Sequence, residues 1–110
     1  MSKIHPTALV DPTARIADDA VIGPYCIIEA DTEIGPGCKL ASNVIIRRYT
    51  SMGANNTLDS FCVLGGLPQD LKFDPASETY LRIGSGNQFR EGVTISRGSK
   101  PGVSTTVGDN

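Results

Sequence analysis

The sequence predicts an all-β chain wound as a parallel β-helix of hexapeptide repeats, and three observations carry that expectation. An aliphatic residue or Met recurs every six positions, at Ile4, Val10, Ile16, Ile22, Ile28, Ile34, Leu40, Ile46, Met52, Leu58 and Leu64. The residue four places after each is usually small, as at Ala8, Ala14, Ala20, Cys26, Thr32, Cys38, Val44 and Cys62. Gly, Pro and β-branched residues recur too densely up to Leu64 for a helix to form. A period of six matches neither the 3.6 of a helix nor plain strand alternation, but two inward positions four apart suit a short strand. Short strand, turn and repeat make a β-helix, a class with known hexapeptide repeats.

The elements follow in order. The smallest polygon a chain can wrap is a triangle, so three hexads, or 18 residues, make one coil. Coils are then stacked about 4.8 Å apart, the ordinary strand spacing. The regular coils run over residues 4–69, with the aliphatic filling the prism and the small residue fitting beside a corner. The period fails over residues 70–82, a 13-residue excursion, and resumes at Ile83, Phe89 and Ile95 to give a coil over 83–100. It pauses again over 101–106, Pro-Gly-Val-Ser-Thr-Thr, and restarts at Val107 as the beginning of a further coil over 107–110. The hexads at Leu64 and Ile95 fall on one face, one coil apart. Both loops therefore leave the prism at the same corner, about 5 Å apart along its axis. Paired loops on a rigid scaffold are where binding chemistry is usually placed.

Composition narrows the functions. The chain has 110 residues, enough for one domain and few for an enzyme working alone. Ten basic and 12 acidic residues leave a net charge of −2 and no broad footprint for nucleic acid or an anionic membrane. No apolar run approaches the roughly 20 residues of a membrane span, and the opening Met1-Ser-Lys-Ile-His-Pro-Thr lacks an apolar signal region, so cytoplasmic residence is expected. Three cysteines without CxxC spacing argue against a disulfide framework or a zinc site. Cys26, Cys38 and Cys62 all take the small inward slot, as buried hydrophobes. Cys26 and Cys62 share a face two coils apart, roughly 10 Å, beyond disulfide reach.

The first excursion opens Pro68-Gln69-Asp70-Leu71-Lys72-Phe73, with an amide, a carboxylate and an ammonium within four residues. Such a trio accepts from sugar hydroxyls and donates to carbonyl or phosphate oxygens. Gly84-Ser-Gly86 lacks the third glycine and the following helix of a phosphate loop. Arg47 and Arg48 share one turn and read as a solvated corner, or as a contact for a phosphate or a partner. Outward positions show no regular Thr-x-Thr ladder, which argues against an ice-binding surface.

The run Ile4-His5-Pro6-Thr7-Ala8, the stretch Gly66-Leu-Pro-Gln69-Asp70-Leu71-Lys72-Phe73, and Arg90-Glu91-Gly-Val-Thr94-Ile95-Ser96-Arg97-Gly98 resemble a known family. It is the acyl-[acyl-carrier-protein]–UDP-N-acetylglucosamine O-acyltransferase family of lipid A biosynthesis. The resemblance covers essentially the whole chain but only the N-terminal part of such an enzyme. It implies a left-handed β-helix assembling as a homotrimer, with active sites between subunits. The implied reaction moves a 3-hydroxyacyl chain from acyl carrier protein to the 3-hydroxyl of UDP-N-acetylglucosamine, without cofactor or metal. By the same resemblance Gln69, Asp70 and Lys72 hold the nucleotide sugar: Asp70 accepts from a sugar hydroxyl, Gln69 orients the ring region and Lys72 offers charge.

Two departures from the family pattern stand out. Ser96 occupies the place where the family usually has His. The family's general-base His is expected beyond Asn110, and an attacking hydroxyl needs such a base. The one His here, His5, lies in the first hexad, about four coils or roughly 20 Å from the loop corner, and reads as structural. The last residues open a hexad and stop, which reads as an excised or truncated portion of a longer enzyme. Two other readings stay open: a non-catalytic trimeric β-helix that binds nucleotide sugar or serves as a scaffold, and a related hexapeptide sugar N-acyltransferase.

Overall fold

The computed structural model describes residues 3–67, 78–98 and 104–109, and every regular element among them is a strand. The first coil holds β1 (Lys3–Ile4), β2 (Leu9–Val10) and β3 (Arg15–Ile16); the second holds β4 (Val21–Ile22), β5 (Ile27–Ile28) and β6 (Glu33–Ile34). The third holds β7 (Lys39–Leu40), β8 (Ile45–Ile46) and β9 (Thr50–Met52); the fourth β10 (Thr57–Leu58), β11 (Val63–Gly66) and β12 (Tyr80–Ile83). The fifth holds β13 (Gln88–Phe89), β14 (Thr94–Ser96) and β15 (Ser104–Val107). Each strand pairs in parallel with the one three places on, which gives three parallel sheets ordered β1-β4-β7-β10-β13, β2-β5-β8-β11-β14 and β3-β6-β9-β12-β15. The fold is a left-handed parallel β-helix of triangular section.

The register shows where the sequence was interrupted. Lys3, Val21, Lys39 and Thr57 stand in one row, each 18 residues beyond the last. Thr57 then pairs with Gln88, a step of 31, or 18 plus 13. Between β12 and β15 the step from Arg82 to Thr106 is 24, or 18 plus six. Both interruptions fall between the second sheet and the third, so the two excursions leave by one corner. Regular pairing resumes earlier than the hexad count implies, at Tyr80 rather than Ile83 and at Ser104 rather than Val107. Leu81, fully buried and paired with Thr50, already belongs to the strand that begins at Tyr80.

The six-residue aliphatics fill the interior. Ile22, Ile28, Ile34, Ile46, Leu58 and Leu64 are all at most 1% exposed, each stabilising the fold by roughly 1.5–3 kcal/mol. Ile4, at 40% exposed, has no coil beneath it. The small slots sit against corner carbonyls: the thiols of Cys26, Cys38 and Cys62 donate to the carbonyls of Ala41, Gly53 and Arg90 at 2.9, 3.1 and 3.0 Å. Asn56 takes the same slot, fully buried and satisfied; its amide donates to Gly84 O at 2.8 Å and its Oδ1 accepts from Asn87 N–H at 2.9 Å.

Burial pushes the Cys26 and Cys62 thiols above their ordinary range, so at neutral pH both stay protonated and unreactive. All three cysteines are free and fully buried. The expected result is no reaction with an aromatic disulfide reagent in the native state and three equivalents released in denaturant. Fast labelling of a native thiol contradicts their placement.

The corners repeat as strictly as the core. The third residue after each aliphatic from Ile22 to Leu58 takes a left-handed backbone: Tyr25, Asp31, Gly37, Asn43, Tyr49, Asn55 and Phe61, with φ between 56° and 72°. Such a residue reverses the chain tightly enough to start the next side of the triangle. In the second coil its amide is held by side chains below: Thr7 Oγ1 accepts from Tyr25 N–H at 3.0 Å, Thr13 Oγ1 from Asp31 at 2.9 Å, and Asp19 Oδ1 from Gly37 at 2.9 Å. One glycine is demanded by close approach. A Cβ on Gly35 would lie 2.6 Å from the carbonyl carbon of Gly53 in the next coil.

Candidate functional site

The corner between the second and third sheets carries both excursions, and the described residues around it form a cationic and aromatic cluster. In the coil below the first excursion, the turn Arg47-Arg48-Tyr49 occupies this corner. Arg47 Nε donates to Glu29 Oε1 at 2.9 Å, and Arg48 Nε donates to Asp31 Oδ2 at 2.9 Å. The bond to Asp31 pushes the Arg48 guanidinium up from its ordinary value. The pair is thus held by carboxylates one coil down, which refines the expectation of a solvated corner. Its heads remain half-exposed, and exposed pairs of this kind contribute only about 0–1 kcal/mol.

Tyr49 sits at the centre. The Arg48 guanidinium carbon lies 4.6 Å from its ring centroid and that of Arg97 lies 5.4 Å away. Tyr80 meets Tyr49 edge to face at 5.6 Å, and Arg82 lies 5.1 Å over Tyr80. The Tyr80 hydroxyl donates to Glu78 Oε1 at 2.7 Å, which pushes its pKa up. Beside this wall, on the outer face of the third sheet, runs a groove of about 310 Å³ lined by Arg15, Asp31, Glu33, Tyr49, Tyr80 and Arg82, among others. It offers charges of both signs and two aromatic faces, a set suited to a polar ligand with a planar or ring portion.

Gln69, Asp70 and Lys72 lie outside the described residues. Their flanks are placed: Leu67 is exposed on one side and Glu78 on the other, where Glu78 accepts from the Tyr80 hydroxyl. Ser96 is exposed in β14 and pairs across the sheet with Gly66, the last residue of β11. The position where the family usually carries His therefore faces outward between the roots of the two excursions. His5 is in β1's coil, exposed, with Nδ1 accepting from Thr7 N–H at 3.2 Å. The amides of Gly84-Ser85-Gly86 are spent inside the stack, on Val107 O, Asp109 Oδ1 and Ala54 O, so they cradle no phosphate. No group of three or more metal-ligating side chains occurs among the described residues, and no helix among them is long and apolar enough to cross a membrane.

Tyr49, Tyr80 and Arg97 escaped the sequence reading, because their meeting depends on the 13-residue step between coils. A second feature escaped it too. The outward residue before each second-sheet aliphatic forms an apolar row of Leu9, Ile27, Ile45 and Val63, paired in register. Stepping by 18 rather than six reveals it.

Fold and corner together define a class: a hexapeptide-repeat β-helix with a loop-bearing edge, and residues 13–48 match the family model for the bacterial transferase hexapeptide of six repeats. The relatives it matches are O-acyltransferases. The chain is 44% identical over 104 residues to the acyl-[acyl-carrier-protein]–UDP-N-acetylglucosamine O-acyltransferase of Syntrophobacter fumaroxidans, covering 94% of this chain and 40% of the relative. It is 46% identical to the corresponding protein of Akkermansia muciniphila over all 110 residues, 42% of that relative. It superposes on LpxA from Acinetobacter baumannii with a TM-score of 0.91 at 42% identity, covering 96% of this chain and 41% of that one. The match to the UDP-N-acetylglucosamine acyltransferase LpxA of Bacteroides fragilis gives 0.92 at 38% identity, covering 97% and 42%. The chain resembles these acyltransferases along its whole length and spans about 40% of theirs.

Proposed function

We propose that these residues form the scaffold and part of the nucleotide-sugar site of an acyltransferase. It moves a 3-hydroxyacyl chain from acyl carrier protein to the 3-hydroxyl of UDP-N-acetylglucosamine, in the cytoplasm, as a step of lipid A biosynthesis. The observation that supports this is the match to O-acyltransferases at 44–46% identity along 94–100% of this chain, the span that includes the loop Gln69-Asp70-Leu71-Lys72 and the Arg90–Gly98 stretch.

The chemistry sets the roles. The sugar oxygen attacks the thioester carbonyl, a base takes its proton, and the tetrahedral intermediate collapses with loss of the carrier thiolate, which recovers a proton. Attack at neutral pH needs a base near pKa 7, and the family resemblance implies a His downstream of Asn110 for that role. The first excursion's part is to hold and orient the acceptor, with Asp70 accepting from a sugar hydroxyl, Gln69 bonding to the ring region and Lys72 supplying charge. Positioning of this kind is worth several kcal/mol of the barrier.

Two rival readings make different predictions. A sugar N-acyltransferase would prefer a 3-amino acceptor, and a binding module would take the nucleotide sugar without transfer. Acceptors with a 3-hydroxyl and a 3-amino group, offered side by side to the full chain with 3-hydroxyacyl carrier protein, separate them. The expected product is an alkali-labile ester on the 3-hydroxyl sugar. A preference for the amine, giving an alkali-stable amide, contradicts the assignment.

The homotrimer belongs to the same proposal, and the apolar row supports it. Leu9 is 68% and Ile27 38% exposed, and Tyr25 and Phe61 stand exposed on the adjoining corner with left-handed backbones that bulky residues rarely adopt. The outward rows of the other two sheets are polar or charged at most positions, among them Lys3, Lys39, Arg15, Glu33 and Arg82. A continuous apolar strip parallel to the stack suits copies packed side by side around a threefold axis. Ile27→Asp is expected to convert a trimer to monomer in light scattering with native circular dichroism retained. An unchanged trimer mass removes this face from the interface.

A further inference from the structure

The two ends of the first excursion lie in one coil, β11 and β12. In the coils below, the turns at this corner lie directly over one another, as Glu29-Ala30-Asp31 lies under Arg47-Arg48-Tyr49. In the fourth coil β11 ends at Gly66, after a register shift against β14 at Gly65, whose φ is +87°. A Cβ there would collide with Thr50 Oγ1. The next strand, β12, begins at Tyr80.

Arg97, in the coil above, meets both ends. Its backbone N–H donates to Gly66 O at 3.0 Å, and the next N–H, of Gly98, donates to Tyr80 O at 3.0 Å. Consecutive amides thus tie down the last strand residue before the excursion and the first strand residue after it. Its side chain reaches down to the third coil: Nη1 donates to Arg48 O at 3.5 Å, and the guanidinium lies over the Tyr49 ring. Only 7% of the residue is exposed. Burial pushes the guanidinium down from its ordinary value and the positive charges of Arg47 and Arg48 add to that, with Tyr49 and Glu29 opposing. A planar, weakly hydrated cation tolerates such a place and stacks on an aromatic face, where an ammonium suits neither demand.

We infer that Arg97 is a positioning residue: it braces the two ends of the first excursion and fixes the separation of Gly66 and Tyr80, and so the mouth of that excursion, without touching substrate. Its bearing on the reaction rests on the reading that this excursion holds the nucleotide sugar. A misplacement of about 1 Å at such a mouth can cost up to roughly a hundredfold in rate.

The test compares Arg97→Met and Arg97→Lys with wild type in the full chain, by two independent readouts. One is KM for UDP-N-acetylglucosamine against kcat. The other is amide hydrogen exchange at residues 78–83 and 97–98, with residues 22–46 as internal control. The expected result for Arg97→Met is a rise in KM of about tenfold or more with a smaller change in kcat. Exchange at Leu81, Arg97 and Gly98 accelerates while the control coils stay protected, and Lys recovers part of both effects. A raised KM with unchanged exchange makes Arg97 a direct substrate contact and overturns the brace, as does wild-type behaviour in both readouts. If Arg97→Met does not fold, Arg97→Lys decides: loosening confined to the two segments supports the brace, and unchanged exchange overturns it. If wild type fails to use UDP-N-acetylglucosamine, the functional reading falls, and the exchange result alone decides the brace.

Discussion

Ile28→Asp is expected to abolish the fold. Ile28 is 1% exposed, at the centre of the prism in β5, between Val10 of the coil below and Ile46 of the coil above. Aspartate there removes the aliphatic contacts and places a carboxyl in an apolar interior. No polar slot is within its register, because the neighbours in its column are aliphatic. The combined cost is at least about 5 kcal/mol, against a typical total stability of about 5–15 kcal/mol. Loss of the cooperative melting transition and aggregation in size-exclusion chromatography are the outcomes to look for. A soluble, normally folded variant contradicts the register. The contrast with Ile27→Asp sharpens the test, since adjacent residues of a two-residue strand face opposite sides of the sheet.

Asp70→Ala carries the second large effect. If Asp70 accepts a hydrogen bond from a sugar hydroxyl, removing the carboxylate deletes a charge-assisted bond of about 1.5–3 kcal/mol. That corresponds to roughly a 10- to 100-fold rise in the dissociation constant for UDP-N-acetylglucosamine. The melting temperature should stay within a degree or two, because the hexad period places the residue in an interruption rather than at a core position of the repeat. Calorimetric titration and thermal unfolding of the same samples measure both quantities. A large fall in melting temperature with unchanged affinity defeats the assignment.

The fold was legible because its rule is periodic and local. A triangular prism leaves no freedom in the spacing of Ile22, Ile28 and Ile34, and the insertion lengths of 13 and six reappear unchanged as the excess over 18 in the strand register. Strand boundaries were less legible: β12 begins at Tyr80, with Leu81 already buried, before Ile83. The left-handed corners at Tyr25, Asn43, Asn55 and Phe61 were not legible. They hide in the sequence because a left-handed position advertises itself only when it holds Gly or Asn, and here it also holds Tyr, Asp and Phe.

The site was legible in part. The loop Gln69–Lys72 announces itself through its polar trio and its family resemblance, whereas the cluster around Tyr49 depends on contacts between residues 31 and 49 positions apart. Arg97 reads as an ordinary surface arginine until its contacts with Arg48 and Tyr49 are seen. Ser96 shows the converse: its position was legible, but the residue type alone does not say what an outward hydroxyl meets where the family carries imidazole.

The most direct measurement is transfer itself. The full chain carrying these residues is incubated with 3-hydroxyacyl carrier protein and UDP-N-acetylglucosamine, and release of the free carrier thiol is followed with the mass of the nucleotide product. The expected result is thiol release that depends on the nucleotide sugar, with a UDP-N-acetylglucosamine product heavier by one 3-hydroxyacyl group. Tight binding of the nucleotide sugar with no thiol release and no mass change contradicts the acyltransferase and leaves a binding module in its place.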